Sequence, residues 1–202
     1  MPIQYLGKQP YLETFQAMKL FTENRTNSTP DEFWIIEHPA VFTQGLNGKA
    51  EHLLSSNIKT VQTDRGGQIT YHAEGQLIIY LLIDLKRASL GVRELIHTME
   101  NAIINFLADF QIKANAREDA PGVYVNKEKI ASLGLKIKKH CSYHGLAINI
   151  DMDLTPFQQI NPCGLKGMKV TKLQNHAQIP EENKLQQKMI QHLTKLLPTI
   201  RL

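Results

Sequence analysis

Residues 77–85, Leu-Ile-Ile-Tyr-Leu-Leu-Ile-Asp-Leu, constrain the fold of this chain more than any other stretch. A run with no polar alternation suits a central strand buried on both faces, so each side of its sheet must be covered. The run stops at Asp84 and is far too short to cross a bilayer. Cover is available. Ser89 is a reasonable N-cap for a helix whose Leu95, Met99, Ile103, Leu107 and Phe110 form one apolar stripe. A helix opening at Pro10 puts Tyr11, Phe15 and Met18 on one face. A C-terminal helix from Pro180 turns Leu185, Met189, Leu193 and Leu196 inward and closes at Pro198.

The remaining apolar segments are short and bounded by turn residues. Strands are expected over 33–37, from Val61 to the turn at Arg65-Gly66-Gly67, over 68–71, 122–125 and 129–138, and over 145–150. Residues 24–30 form a polar loop, Asn126-Lys127-Glu128 a turn, and Thr155-Pro156 a single helical turn ended by Asn161-Pro162. These elements define an α+β fold, a mixed and largely antiparallel sheet flanked by helices. At 202 residues, residues 1–202 make a single domain.

Lys and Arg number 23 against 19 Asp and Glu, a formal charge of +4 spread along the chain. That suits an acidic protein partner and is too diffuse for nucleic acid. Lys136, Lys138 and Lys139 alternate with apolar residues as the solvated face of a strand would. Two cysteines, Cys141 and Cys163, do not make a disulfide scaffold, and a reducing cytoplasmic location is expected. No signal peptide or membrane segment is evident.

Cys163 stands in Asn161-Pro162-Cys163-Gly164, an irregular turn where a side chain can project and a substrate can approach the backbone. A thiol is mostly protonated at neutral pH, its reference pKa being about 8.5, and a nearby cation raises its thiolate fraction. The plain alternative is a buried structural thiol. Lys129 heads a strand in which period-two alternation gives it the face of Ala131, Leu133, Leu135 and Ile137, an ammonium aimed along an apolar surface. Equally, it is a lysine at a hairpin end extending into water. In Arg65-Gly66-Gly67-Gln68-Ile69-Thr70-Tyr71-His72 the paired glycines permit close backbone approach, and Arg65 and His72 can bind an anionic or carbonyl group. A zinc site from Cys141, His144, Cys163 and His176 is disfavoured, because strand alternation sends positions 141 and 144 to opposite faces. No metal is expected.

Taken in order, these residues resemble the bacterial octanoyltransferases, the lipoyl(octanoyl) transferases of lipoate biosynthesis. The segments that carry the resemblance are His38-Pro39-Ala40-Val41-Phe42-Thr43-Gln44-Gly45, residues 65–72, Ala120-Pro121-Gly122-Val123-Tyr124-Val125, Lys129-Ile130-Ala131-Ser132-Leu133-Gly134, His144-Gly145-Leu146-Ala147 and Asn161-Pro162-Cys163-Gly164. The resemblance implies the catalytic fold shared with biotin- and lipoate-protein ligases. It implies an acyltransferase without a cofactor, in which Cys163 takes octanoyl as a thioester and Lys129 lowers the thiol pKa and moves protons. Residues 65–72, Ser132, Leu133, Gly134, Gly145, Leu146 and Ala147 would then line the acyl pocket, with backbone N–H groups at a turn near Gly145 as an oxyanion site. The implied donor is octanoyl-acyl carrier protein. The implied acceptors are lipoyl domains of 2-oxoacid dehydrogenases and the glycine cleavage H protein, met by a monomeric enzyme. Ala73-Glu74-Gly75 stands where the family has Gly-Pro-Gly, a departure that bears on the loop after His72. The competing readings are an ATP-dependent ligase on the same fold, transfer between two lipoyl domains, and a non-catalytic carrier-binding module. A cysteine peptidase is disfavoured, because no histidine stands out as a base for Cys163.

Overall fold

The computed structural model of the chain describes residues 1–55, 57–165 and 167–197, and of Cys163 the backbone only. In chain order the strands and helices are β1 (Ile3–Lys8), α1 (Tyr11–Glu23), β2 (Glu32–Glu37), β3 (Val41–Gln44), β4 (Thr60–Gln62), β5 (Ile69–His72), β6 (Gln76–Leu82), α2 (Val92–Ala108), β7 (Asn115–Ala116), β8 (Val123–Val125), β9 (Glu128–Lys138), β10 (Cys141–Asn149) and α3 (Glu182–Leu196). The main sheet has the order β1-β2-β6-β10-β9-β8-β7, and only its β1–β2 pair is parallel. A small second sheet, β4-β3-β5, lies apart from it in the hydrogen-bonding pattern.

The apolar run becomes β6, a central strand buried at every position. One face of the main sheet packs on α2 and α3 through Leu95, Met99, Ile103, Phe106, Leu185, Met189 and Leu193. The other packs on α1, where Tyr11, Phe15 and Met18 meet Trp34, Ile36, Ile78, Tyr80, Leu82, Tyr143 and Ala147. A third cluster joins β5 to the following turns through Ile69, Tyr71, Met152, Phe157 and Ile160. No described helix is long and apolar enough to cross a membrane.

Local details depart from expectation for identifiable reasons. The helix expected from Ser89 begins after Gly91, whose N–H donates to the Glu94 carboxylate at 2.6 Å, while Ser89 itself takes a left-handed φ of 52°. Leu196 is 37% exposed, and the inward position on α3 belongs to Ile190 instead. Pro198 lies outside the described residues. Edge strand β1 was not expected, since most of its residues are exposed and its one partner is distant in sequence. After His72, the Gln76 N–H donates to Ala73 O at 3.2 Å with Gly75 at φ +83°. That is the geometry of a type II turn, which Gly-Pro-Gly would also favour. Here Glu74 occupies the proline position and pairs with Lys8 at 2.8 Å.

Candidate active site

Two breaks in strand alternation shape the α1 side of the sheet. The first is a β-bulge where β8 meets β9. Val123 opposes Ala131 and Tyr124 opposes Lys129, leaving Ile130 as the extra residue. Ile130 and Ala131 both pack into the α2–α3 core. Lys129 shares the face of Tyr124 instead, a correction to the alternation that grouped it with Ala131, Leu133, Leu135 and Ile137. Its side chain is 2% exposed. The ammonium donates to Pro121 O at 2.8 Å and lies 5.6 Å from the Tyr124 ring centre. Gly122 makes room for it, because a Cβ there would fall 2.9 Å from Lys129 Nζ. The Lys129 backbone is clamped on both sides, its N–H donating to Lys169 O and its carbonyl accepting from the Thr171 N–H, each at 2.9 Å. The hairpin-end alternative, in which Lys129 extends into water, is thereby removed.

The second break is at His144, which takes φ +61° in the middle of β10. A left-handed histidine in a central strand is strained and turns its side chain off the expected face. It joins Tyr143 on the α1 side, so strand alternation does not separate 144 from 141. Its Nε2–H donates to Asp64 Oδ1 at 3.1 Å, while the Tyr143 hydroxyl donates to Asp64 Oδ2 at 2.6 Å. The ring is stacked between Phe15, centred 5.3 Å away, and Tyr143, centred 5.1 Å away. Its Nδ1 is buried without a hydrogen-bonding partner among the described residues. Cys141 is buried at the start of the same strand. Among the described residues no three His, Cys, Asp or Glu side chains converge on a possible metal position.

Between these two breaks lies a cavity. Its walls are residues 65–72 except Gly66 and Tyr71, together with 132–134 and 145–147; Tyr11, Ile78, Tyr80 and His144 complete it. Most of the expected pocket residues are thus brought together. Gly66 is spent on its N–H bond to Leu135 O at 2.8 Å, and Tyr71 turns away to Phe42 and Phe157. Arg65 is a wall rather than an exposed charge. Its guanidinium donates to Thr43 O and Thr43 Oγ1, both at 2.8 Å, and to Gly66 O at 3.0 Å. The expected turn at Gly145 is absent. Gly145 lies mid-strand, paired with Tyr80 and Gly134, so its backbone belongs to the sheet ladder.

Cys163 lies in a single turn, residues Pro162–Gly164, closed by Gly164 N–H to Asn161 O at 3.0 Å; its side chain is outside the described atoms. Gly164 has φ +75°, and a Cβ there would come 2.7 Å from Gln68 Oε1. The cysteine turn therefore abuts the cavity wall at Gln68.

His72 was expected in the pocket, but the rings that surround it, Tyr11, His38, Tyr80 and His144, were not. His38 Nδ1–H donates to Gln9 O and its Nε2 accepts from the Tyr80 hydroxyl, both at 2.7 Å. His72 donates to Gln76 Oε1 at 2.7 Å, and Gln76 in turn donates to Asn149 at 2.9 Å. Burial lowers the pKa of His38 and of His144 and holds His72 down to about 3, so all three are neutral at pH 7. In His144 the Asp64 carboxylate only partly offsets that burial. Burial likewise raises the Tyr80 phenol well above its ordinary value. These residues come from distant segments, and nothing in the local pattern around His38 or Tyr11 announces a shared cavity.

A main sheet with α1 and a small sheet over one face, α2 and α3 over the other, and a buried lysine near a cavity define the class. The chain belongs to the lipoyl protein ligase A/B catalytic domain family, whose sequence model matches residues 10–194. Within that family it is similar to the octanoyltransferase of Hydrogenovibrio crunogenus, 60% identical over 199 residues, 96% of this chain and 95% of that one. It is also 63% identical over 172 residues to the octanoyltransferase of Psychromonas ingrahamii, covering 85% of this chain and 80% of that one. In fold it matches a bi-partite lipoate protein ligase from Thermoplasma acidophilum at a TM-score of 0.74, with 14% identity over 97% of this chain and 82% of that one.

Proposed function

We propose that this chain is an octanoyltransferase of protein lipoylation, moving an octanoyl group from an acyl carrier protein to a lysine of a lipoyl domain through a thioester on Cys163. The observation that supports it most is Lys129, a buried residue turned by the bulge at Ile130 to the cavity side of the sheet. An ammonium beside a thiol raises its thiolate fraction, which is the service this reading asks of Lys129.

In the first half-reaction the Cys163 thiolate attacks the donor thioester carbonyl. A carbon–sulfur bond forms, the tetrahedral intermediate collapses, and the carrier thiol leaves with a proton from the Lys129 ammonium. One thioester replaces another at little free-energy cost. In the second, an acceptor lysine amine attacks the acyl-enzyme and gives its proton to the now neutral Lys129. The carbon–nitrogen bond forms, the carbon–sulfur bond breaks, and the thiolate returns beside an ammonium. An amide is more stable than a thioester, so the sequence runs downhill without ATP. The apolar side chains of Ile69, Ile78 and Ala147 suit an alkyl chain. The chain's +4 charge favours encounter with acidic carrier and lipoyl domains.

The test is incubation with octanoyl-acyl carrier protein, followed by intact mass and peptide mapping. A hydroxylamine-labile octanoyl adduct on Cys163, chased to the lipoyl domain without ATP, is expected. Full transfer by Cys163→Ala, or transfer only with ATP, overturns the reading.

A further inference from the structure

We infer that His144 is the stop that sets acyl chain length, a specificity-determining residue at the closed end of the cavity. The inference rests on the functional reading above and assigns that cavity a ruler.

Strand register gives the ruler its scale. Ser132 pairs with Ala147 and Leu135 pairs with His144, so these two levels lie three residues apart along the β9–β10 ladder. At about 3.4 Å per residue that is about 10 Å. Carbon–carbon bonds of about 1.5 Å, meeting near the tetrahedral angle, advance about 1.3 Å each, so an extended eight-carbon chain is about 9 Å long. The Ser132–Ala147 level is the end nearer Lys129, which precedes Ser132 by three residues on β9. The cysteine turn meets the cavity at Gln68, four residues along the chain from the Asp64 that holds His144. An acyl group entering there with its carbonyl first-bonded at Cys163 directs its methyl end at His144.

The stop is rigid. The left-handed backbone at His144 aims the ring to the cavity side, Asp64 fixes its Nε2, and Phe15 and Tyr143 sandwich it. A longer chain must displace a ring held from three directions. Behind the imidazole the Phe15 ring is centred 5.3 Å away. Removing the imidazole therefore opens room for about two to four more carbons at the same advance per bond.

The test compares hexanoyl, octanoyl, decanoyl and dodecanoyl carriers as donors to a lipoyl domain. The proteins are the wild type, His144→Asn and His144→Gly, since both replacements tolerate the left-handed backbone. One methylene against a fixed wall is worth about ten-fold or more in kcat/KM. The decanoyl-to-octanoyl ratio is expected to rise at least ten-fold in both variants, and dodecanoyl to become a substrate. Phe15→Ala, outside the cavity wall, lets the imidazole retreat and should raise the same ratio by a smaller factor. The inference fails if the ratio is unmoved in all three while each still unfolds cooperatively. Transfer lost in Cys163→Ala with an unmoved ratio removes the ruler alone. No transfer of any chain by the wild type removes the functional reading and the ruler together.

Discussion

The two faces of the main sheet are built from the same strands and furnished in opposite ways. Toward α2 and α3 the filling is aliphatic and aromatic hydrocarbon, with Leu95, Met99, Ile103, Phe106 and Leu193 all fully buried. Toward α1 and the small sheet it includes five polar rings, Tyr11, His38, His72, Tyr80 and His144, each under 9% exposed. Neutral histidines in a core add little to stability that leucines would not add better, and they must find partners. One face is there to hold the fold together. The other gives up some of that stability for a shaped cavity lined largely by neutral rings.

The contrast can be broken or sharpened by experiment. The largest effect should come from Phe106→Ala on the hydrocarbon face, about 3–5 kcal/mol of unfolding free energy by urea titration, with turnover per folded molecule kept. Acid should attack the other face. An unfolded histidine takes up a proton below about pH 6.5, whereas His72 resists down to about 3. Its depressed folded pKa therefore contributes stability that is present above pH 6.5 and lost as pH falls toward 3, at up to about 1.4 kcal/mol per pH unit. His72→Gln should flatten the measured slope of stability against pH between 4 and 6 by that amount. Tyr80→Phe removes the donor to His38 Nε2 and should cost about 1–3 kcal/mol in the same titration, while also altering acyl transfer. The smallest effect should be a gain. Glu74→Pro suits the second position of the type II turn and should stabilise by about 0.4–1 kcal/mol, visible as a small rise in Tm.

The hydrocarbon face was largely legible in the sequence because its signals are local. The unbroken run at 77–83 and the stripe at Leu95, Met99, Ile103 and Leu107 follow from strand and helix periodicity alone. Lys129, Cys163 and the glycine-rich pocket segments were found through their ordered resemblance to a family. What stayed hidden depends on pairing. The register shift that frees Lys129 from the face of Ala131 arises between two strands and leaves no mark in either. The left-handed turn at His144 goes with a tether to Asp64, 80 residues away. The mostly exposed edge strand β1 has one parallel partner and no alternation to betray it.

That register shift has a consequence for how such a chain can change over time. With Ile130 left unpaired, the amine at 129 reports to one side of the molecule; with one residue added to β8 opposite Ile130, plain alternation would return and the same amine would be handed to the opposite side, among leucines. Chemistry of this kind can therefore be switched off by a change in spacing that leaves every reactive group in place, and a tally of reactive groups would register nothing.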